Sequence, residues 1–409
     1  MKQIKSPTIF QALLPIIFLV VLLIINVSVF GDDALSGSMQ IVLILSSAVA
    51  SIIAFNLGFT WLEIQKGIVK SINSSIPSIL ILFLVGSLAG SWLLSGIVPA
   101  FIYYGIQILN AKIFLFAACI ISIVVSMATG SSWTTSATIG IALIGIGRAL
   151  DISDGLVAGA ILSGAYFGDK MSPLSDTTNL APAMSGGDLI SHIKYLSLTT
   201  LPSIIISLII FIILGLNISD NIGLNNAEII SNSILEKFYI SPVLFIVPLV
   251  VIILIYNKIK AVPALFVGVI LGSAFALIFQ SNLVLEVSDS SSNSWKALFS
   301  GTMISLYGSI SIDASNEMVS KLLSSSGMFG MLDTIWLVIC AMIFGGVMEK
   351  AGFLKKIISI ILNKIKSTGS LITSTAGTCI FFNLSASDQY LSIVVPGKMY
   401  SSIYKEKGL

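Results

Sequence analysis

Residues 167–183 read FGDKMSPLSDTTNLAPA, inside a stretch, 155–182, that is otherwise apolar enough to be a helix in lipid. Pro173 removes a backbone donor and crowds the preceding turn, so the hydrogen-bond ladder cannot run through it. Ser175-Asp176-Thr177-Thr178-Asn179 then supplies residues of the kind that cap a new helix. The segment therefore predicts a helix that stops and restarts. Backbone that leaves the helix in hydrocarbon must be buried in protein or line a watery cavity. A break carrying Asp169 and Asp176 thus reads as a site, the alternative being a polar loop between two capped helices.

The rest of the chain places that break in a membrane. Of 409 residues, 56% are hydrophobic and only 10% charged, and the mean hydropathy is +1.03. A soluble protein carries roughly a quarter charged residues. With 21 basic against 19 acidic residues there is no basic stripe to neutralise phosphates, which excludes nucleic acid as a partner. His192 is the single histidine and is expected in a polar loop; no HExxH or CxxC spacing occurs, and no nucleophile elbow accompanies it. Cys119, Cys340 and Cys379 lie in apolar runs and read as small buried hydrophobes. These absences point away from an enzyme and from any bound cofactor.

Apolar runs long enough to span about 30 Å of hydrocarbon occur at 9–30, 39–60, 76–98, 195–216, 238–256, 261–280 and 328–348. The first follows Lys2 and Lys5, lacks a small-residue cleavage site and reads as a span, not a signal peptide. Three further apolar stretches are interrupted: 112–147 by TGSSWTT, 155–182 by the segment above, and 369–400 by NLSASDQ. The distribution of Lys and Arg puts the N-terminus in the cytoplasm, GDDALSGS outside and Lys66 and Lys70 inside. Keeping Asn257-Lys258-Ile259-Lys260 inside requires 112–147 to dip in and return, as a re-entrant hairpin or as two crossings. The lysines at 350, 355, 356, 364 and 366 then also lie inside, provided that 299–325, with Asp313 and Glu317, begins and ends outside as a surface or re-entrant segment.

A weak internal repeat appears at an offset of 256: LAGSWLLSGIV (88–98) faces FGGVMEKAGFL (344–354), and TGSSWTTS (129–136) falls on SASDQYLS (385–392). Segment 99–111 has no Lys whereas 355–367 has four, the opposite-side placement of an inverted repeat. Inverted repeats with broken helices place substrate near the midplane in secondary transporters. The expected fold class is thus an all-α polytopic membrane protein of inverted repeats with re-entrant hairpins and broken helices. Its parts are spans at 1–70, a first repeat at 71–216, connecting spans at 217–325 and the start of a second repeat at 326–409.

Candidate ligands follow from the three breaks. TGSSWTTSATIG (129–140) offers hydroxyls and Gly at a hairpin tip, including Ser131, Ser132 and Thr134; a small-residue packing face is the competing reading. Asp169, Ser175, Asp176, Thr177, Thr178 and Asn179 surround the broken helix, and Ser387 and Asp388 the second hairpin. Carboxylate, hydroxyl and freed carbonyl oxygens suit a hard cation, so Asp176, Thr178 and Asn179 are the expected Na+ ligands, with Asp176 leading. Arg148, Asp151 and Asp154 read as a water-facing end, Glu349 beside Lys350 as interfacial, and Glu63 with Lys66 and Lys70 as a cytoplasmic amphipathic segment.

The stretches GSSWTTSATIGIALIGIG, GDKMSPLSDTTNLAPA and SASDQYLSIVVPGKMY resemble the signature segments of the NhaC family of sodium/proton antiporters, which includes sodium-lactate/proton-malate exchangers. The resemblance implies two inverted repeats and elevator-like movement. It implies that Ser131, Ser132 and Thr134 form the first hairpin tip, Asp176 to Asn179 the first broken helix, and that Asp388 lies in the second hairpin. The repeat partner of 167–183 would lie beyond Leu409, so the chain is expected to lack the family's usual C-terminal segment. The expected function is Na+/H+ antiport in the cell membrane: burial favours the protonated carboxyl, so H+ competes with Na+ for one site. The alternative is Na+-coupled exchange of a small carboxylate such as malate or lactate. A homodimer is one assembly that this architecture admits.

Overall fold

The computed structural model describes residues 4–108, 110–173, 175–218, 220–257, 259–288, 294–314, 317–362, 367–386 and 389–408. Helices make up nearly all of them. In chain order they are α1 (Ile9–Phe30), α2 (Ser38–Asn56), α3 (Trp61–Leu94), α4 (Ile97–Ile108), α5 (Ala111–Thr129), α6 (Ser132–Thr135), α7 (Ile141–Ala149), α8 (Asp154–Met171), α9 (Asp176–Ser185) and α10 (Leu189–Leu216). There follow α11 (Asp220–Lys237), α12 (Ile246–Tyr256), α13 (Ala261–Phe279), α14 (Ser281–Val287), α15 (Trp295–Tyr307), α16 (Glu317–Leu322), α17 (Leu332–Lys350), α18 (Phe353–Leu362), α19 (Thr368–Ala386) and α20 (Gln389–Glu406). Among the described residues the only ladder pairs β1 (Ile310–Ser311) with β2 (Ser324–Ser325), antiparallel.

Seven helices are long and apolar enough to cross a membrane, and one further pair, Ile229–Lys237 with Pro242–Tyr256, passes together but is bent by 88°. Their outward faces are apolar: Ile205, Ile206, Ile209, Ile210, Ile213 and Leu216 of α10 are all exposed. Such a surface is solvated by lipid, not water. The chain is an all-α, multi-pass membrane protein, as its composition requires.

Two expected spans differ in form. The run 238–256 contains a sharp break, because Pro242 cannot donate and disfavours helix at the residue before it, while the Ser241 hydroxyl caps the new start by accepting from Val243 N. Buried Gln280 fills the break: its Oε1 accepts from Tyr239 N at 3.1 Å and its Nε2 donates to Tyr239 O at 2.9 Å and Ser95 O at 3.5 Å. The span expected at 76–98 begins fifteen residues earlier, at Trp61, where Thr60 and Glu63 cap each other reciprocally.

The helices form two compact units. The first comprises Met1–Leu80, Leu180–Gly186 and Leu332–Leu409. Its core gathers Ala50, Ala54 and Ile64 with Phe344, Val347, Met348 and Phe353. Here α3 crosses α17 at Gly67 and Gly346; a Cβ on Gly346 would lie 2.8 Å from Ile68 Cα, so the crossing needs glycine. In the same unit α19 and α20 are zipped by Thr378 Oγ1 with Tyr400 OH at 2.8 Å and Thr375 Oγ1 with Tyr404 OH at 3.2 Å. The end of α9 is held on α20 by Ser401 Oγ donating to Ser185 O at 2.8 Å.

The second unit comprises Ile81–Asn179 and Gly187–Met331. Its core packs Leu88, Trp92 and Leu94 with Leu244, Val251 and Leu265, and Trp92 Nε1 donates to Gly268 O at 3.3 Å. The segment 299–325 continues α15 into the β1–β2 pair and α16, burying Ile310, Ile312, Val319 and Leu323 in this core.

The helix order recurs along the chain. α3 ends at Leu94 and α17 at Lys350, α4 starts at Ile97 and α18 at Phe353, each an offset of 256. α5 and α19 each have 19 residues. After a two-residue gap, Ser132–Ala149 and Gln389–Glu406 each follow.

Candidate functional site

The first hairpin is built by α5 and the arm α6–α7, which lie side by side in the second unit. Gly147 near the end of α7 approaches the Phe114 ring near the start of α5, so the arms are antiparallel. At 1.5 Å per residue the 19 residues of α5 extend about 28 Å, so the arms have the length of crossings. The turn is made by Gly130, at φ 68, which avoids the Cβ penalty of that conformation, and by Ser131, which is extended. Between α6 and α7 the ladder slips into a π turn at Ser136–Gly140, an irregularity that concentrates at functional sites.

The tip is a web of hydroxyls. Ser131 Oγ accepts from Thr134 N at 3.2 Å and Thr134 Oγ1 at 3.1 Å; Thr135 Oγ1 donates to Ser131 O at 2.9 Å. Ser132, Thr134 and Thr135 are buried. Both readings of this stretch are therefore visible: the small side chains pack, and their oxygens gather at one point.

Helix α8 brings a carboxylate to that point. Asp169 Oδ2 accepts from Ser132 Oγ at 2.8 Å and from Ser132 N at 3.3 Å. The chain then leaves the helix: Ser172 at the end of α8 is extended, and its hydroxyl donates to Met127 O at 2.8 Å. The restart is organised by Ser175, whose Oγ accepts from Thr178 N at 3.3 Å and pairs with Thr177 Oγ1 at 3.1 Å. Thr178 Oγ1 reaches back across the break to Asp169 O at 3.2 Å and Lys170 O at 3.3 Å. Asn179 Nδ2 donates to Pro173 O and Ser175 O at 2.8 and 2.7 Å. Ser175 and Thr178 are buried and Asp169 is half-buried.

Of the expected residues, Ser132, Asp169, Ser175, Thr177, Thr178 and Asn179 are thus joined by hydrogen bonds from the tip to the restart, and Ser131 and Thr134 form a second bonded set that meets it through the Ser131–Ser132 peptide. Asp169, not Asp176, makes the described contact with the hairpin. Asp176 opens α9, but its side chain, and Ser387 and Asp388, fall outside the described residues. Lys364 and Lys366 do so as well. One carboxylate among hydroxyls and carbonyls is a donor set for a hard monovalent cation; among the described residues no three of His, Cys, Asp and Glu gather.

The path is held by a helix contact that the sequence reading passed over. α8 lies backbone to backbone on α5: a Cβ on Gly164 would collide with Cys119 O, and one on Gly168 would sit 2.6 Å from Ile123 O and Ser126 Cβ. Ser126 Oγ donates to Ala165 O at 2.6 Å across the same seam. The signal was available as GAYFG (164–168), a small-xxx-small pair in an apolar run. Arg148 forks onto Asp154, with Nε to Oδ1 at 2.8 Å and Nη2 to Oδ2 at 2.6 Å, both half-exposed at the end of the arm. His192, expected in a loop, lies in the first turn of α10, because Asp188 caps that helix by accepting from Ser191 N at 2.9 Å. Cys119 and Cys340 are buried and Cys379 half-buried, all three unpaired.

Residues 164–409 match the sequence profile of the Na+/H+ antiporter family. The chain is 34% identical over 406 residues to the malate-2H(+)/Na(+)-lactate antiporter of Bacillus subtilis, covering 99% of this chain and 82% of that protein. It is 33% identical to the Na(+)/H(+) antiporter NhaC of Alkalihalophilus pseudofirmus, with 89% and 76% covered. To the arginine/ornithine antiporter ArcD of Halobacterium salinarum it is 35% identical, with 99% and 80% covered. With relatives matched over most of both chains, and with the profile spanning the broken helix and the second hairpin, this multi-pass membrane protein belongs to the NhaC-type Na+/H+ antiporter family.

Proposed function

We propose that this chain exchanges Na+ for H+ across the cell membrane, with both ions using the oxygen cluster between the first hairpin and the broken helix. The observation that carries this reading is the Asp169 carboxylate, held by the hydroxyl and amide of Ser132 at the tip. Among the described residues its second oxygen has no hydrogen-bond partner. Na+ takes oxygen ligands, and Asp169, Asp176, Thr178 and Asn179 offer carboxylate, hydroxyl and amide oxygens around one break. A proton on the carboxylate removes its charge and its affinity for the cation. Occupancy by one ion therefore excludes the other, and alternating exposure of the cluster couples the two gradients without a separate device. The distribution of Lys2, Lys5, Lys66 and Lys70 supports a cytoplasmic N-terminus.

The test is reconstitution in liposomes with an internal pH dye and an imposed Na+ gradient. Wild type should alkalinise or acidify the lumen according to the gradient, and Asp169→Asn and Asp176→Asn should each abolish the signal at unchanged abundance. Full exchange by both variants would refute the site. Exchange lost in only one identifies the titrating carboxylate.

A second reading, Na+-coupled exchange of a small carboxylate, is favoured by the 34% identity to the malate/lactate antiporter. Malate- or lactate-dependent pH change in the same liposomes separates it from plain Na+/H+ exchange.

A further inference from the structure

The crossing of α3 and α17 in the first unit carries charges that the ion site does not use. Lys66 and Lys70 on α3 and Lys350 at the end of α17 are all exposed around the Gly67–Gly346 contact. Two adjoining concavities, of about 440 and 290 Å³, share Lys66 and Lys70. Lys70 Nζ pairs with Glu349 at 3.1 Å. Lys66 and Lys350 have no hydrogen bond or ion pair among the described residues; the carboxylate whose field they share, Glu63, already accepts from Thr60 N and Oγ1. Three ammoniums against these two carboxylates leave the groove positive. Two amides, Gln65 and Asn73, line the larger concavity and, among the described residues, their side chains have no hydrogen bond, so they add donors.

The same groove is also lined by apolar side chains. Leu62 and Val69 line it and are about half exposed, and Ile76 and Leu80 continue the strip on the same helix face, at seven- and then four-residue spacing. Trp61, exposed at the start of α3, is the residue type that sits at headgroup level. A soluble anion would use the lysines and leave the strip unused; an amphiphile uses both.

We propose that the α3–α17 crossing binds the phosphate headgroup of an anionic phospholipid, with an acyl chain along Val69, Ile76 and Leu80. Each lysine near such a headgroup strengthens binding roughly fivefold, so the three together are worth on the order of a hundredfold. This site is independent of the ion cluster and holds whichever substrate is exchanged.

The probe is phosphatidylglycerol titrated into the whole purified protein in a neutral maltoside detergent, with bound lipid counted by native mass spectrometry and the unfolding midpoint followed in parallel. Wild type should bind phosphatidylglycerol well above phosphatidylcholine, and glycerol phosphate, the headgroup without its chains, should not compete. Lys66→Gln/Lys70→Gln/Lys350→Gln should lose on the order of a hundredfold in affinity. Glu349→Gln should gain severalfold, because it frees Lys70; this opposite sign keeps the test decisive if the triple variant proves unstable. Equal binding of both lipids, competition by glycerol phosphate, or Glu349→Gln binding no better than wild type would each overturn the proposal.

Discussion

Replacing Gly168 by alanine tests whether the packing of α8 on α5 sets the geometry of the oxygen cluster around Asp169. An added Cβ would lie 2.6 Å from Ile123 O and from Ser126 Cβ, and 2.8 Å from Met127 N. Two of these neighbours are backbone, so the helices must part by roughly 1 Å to regain ordinary contact. The displaced residue is the immediate neighbour of Asp169, whose bond to Ser132 Oγ is 2.8 Å; a shift of that size takes it past hydrogen-bond range. Overpacking costs about 1–3 kcal/mol and a hydrogen bond to a charged group about 1.5–3, against about 1 regained from the helix preference of alanine. We expect a net loss of about 1.5–5 kcal/mol, read as a lower unfolding midpoint in detergent, together with a weakened Na+-dependent pH signal in liposomes. Gly159→Ala on the same helix is the control: nothing lies within 4 Å of its added Cβ, so it should be neutral or slightly stabilising and fully active. If Gly168→Ala matches Gly159→Ala in midpoint and exchange, α8 does not sit on α5 at backbone distance and the positioning of Asp169 must have another cause.

Three further outcomes follow from the geometry. Gln280→Ala removes an amide that satisfies Tyr239 N, Tyr239 O and Ser95 O and should lower stability by about 1–3 kcal/mol through the groups left unpaired; a midpoint within error of wild type would count against it. Single cysteines at Asn110 and Ser153, both exposed at the outer ends of the first hairpin, in a background free of Cys119, Cys340 and Cys379, should react with an impermeant thiol reagent from one and the same side. Cysteines at Asn257 and Ser367 should react from the other; labelling of Asn110 and Ser153 from opposite faces would mean that the two arms cross only once. The N–H of Ser191 holds the Asp188 carboxyl below the usual carboxylate range. A lowered pKa contributes stability above the unfolded value that is lost as pH falls through the folded one. Asp188→Ala should therefore be destabilising at neutral pH and indistinguishable from wild type once the pH is below that depressed value.

The membrane-spanning, all-helical class was legible in the sequence because it is a consequence of composition. A chain with so few charges has no way to solvate a surface except in lipid, and hydrocarbon admits backbone only as helix or closed barrel. The break at Pro173 was legible for the same local reason: an imide without a donor stops a ladder wherever it stands. So were the hydroxyls of Ser131, Ser132 and Thr134, since a run of small polar residues in an apolar stretch has few other uses.

Which carboxylate meets those hydroxyls was not local. The sequence puts Asp176 first; that Asp169 meets Ser132 depends on where α8 lies against α5, and that is fixed by Gly164 and Gly168 letting two backbones touch some forty residues apart in sequence. The break at 238–241 was also hidden, although Pro242 was in view, because the surrounding run is apolar enough to pass as one span. Only the fold brings Gln280, some forty residues downstream, to the exposed backbone groups that make the break affordable. Composition and local stereochemistry decide what each segment can be, since they act between near neighbours. Tertiary packing decides which polar groups share a site, since contacts between distant residues exist only once the helices are docked.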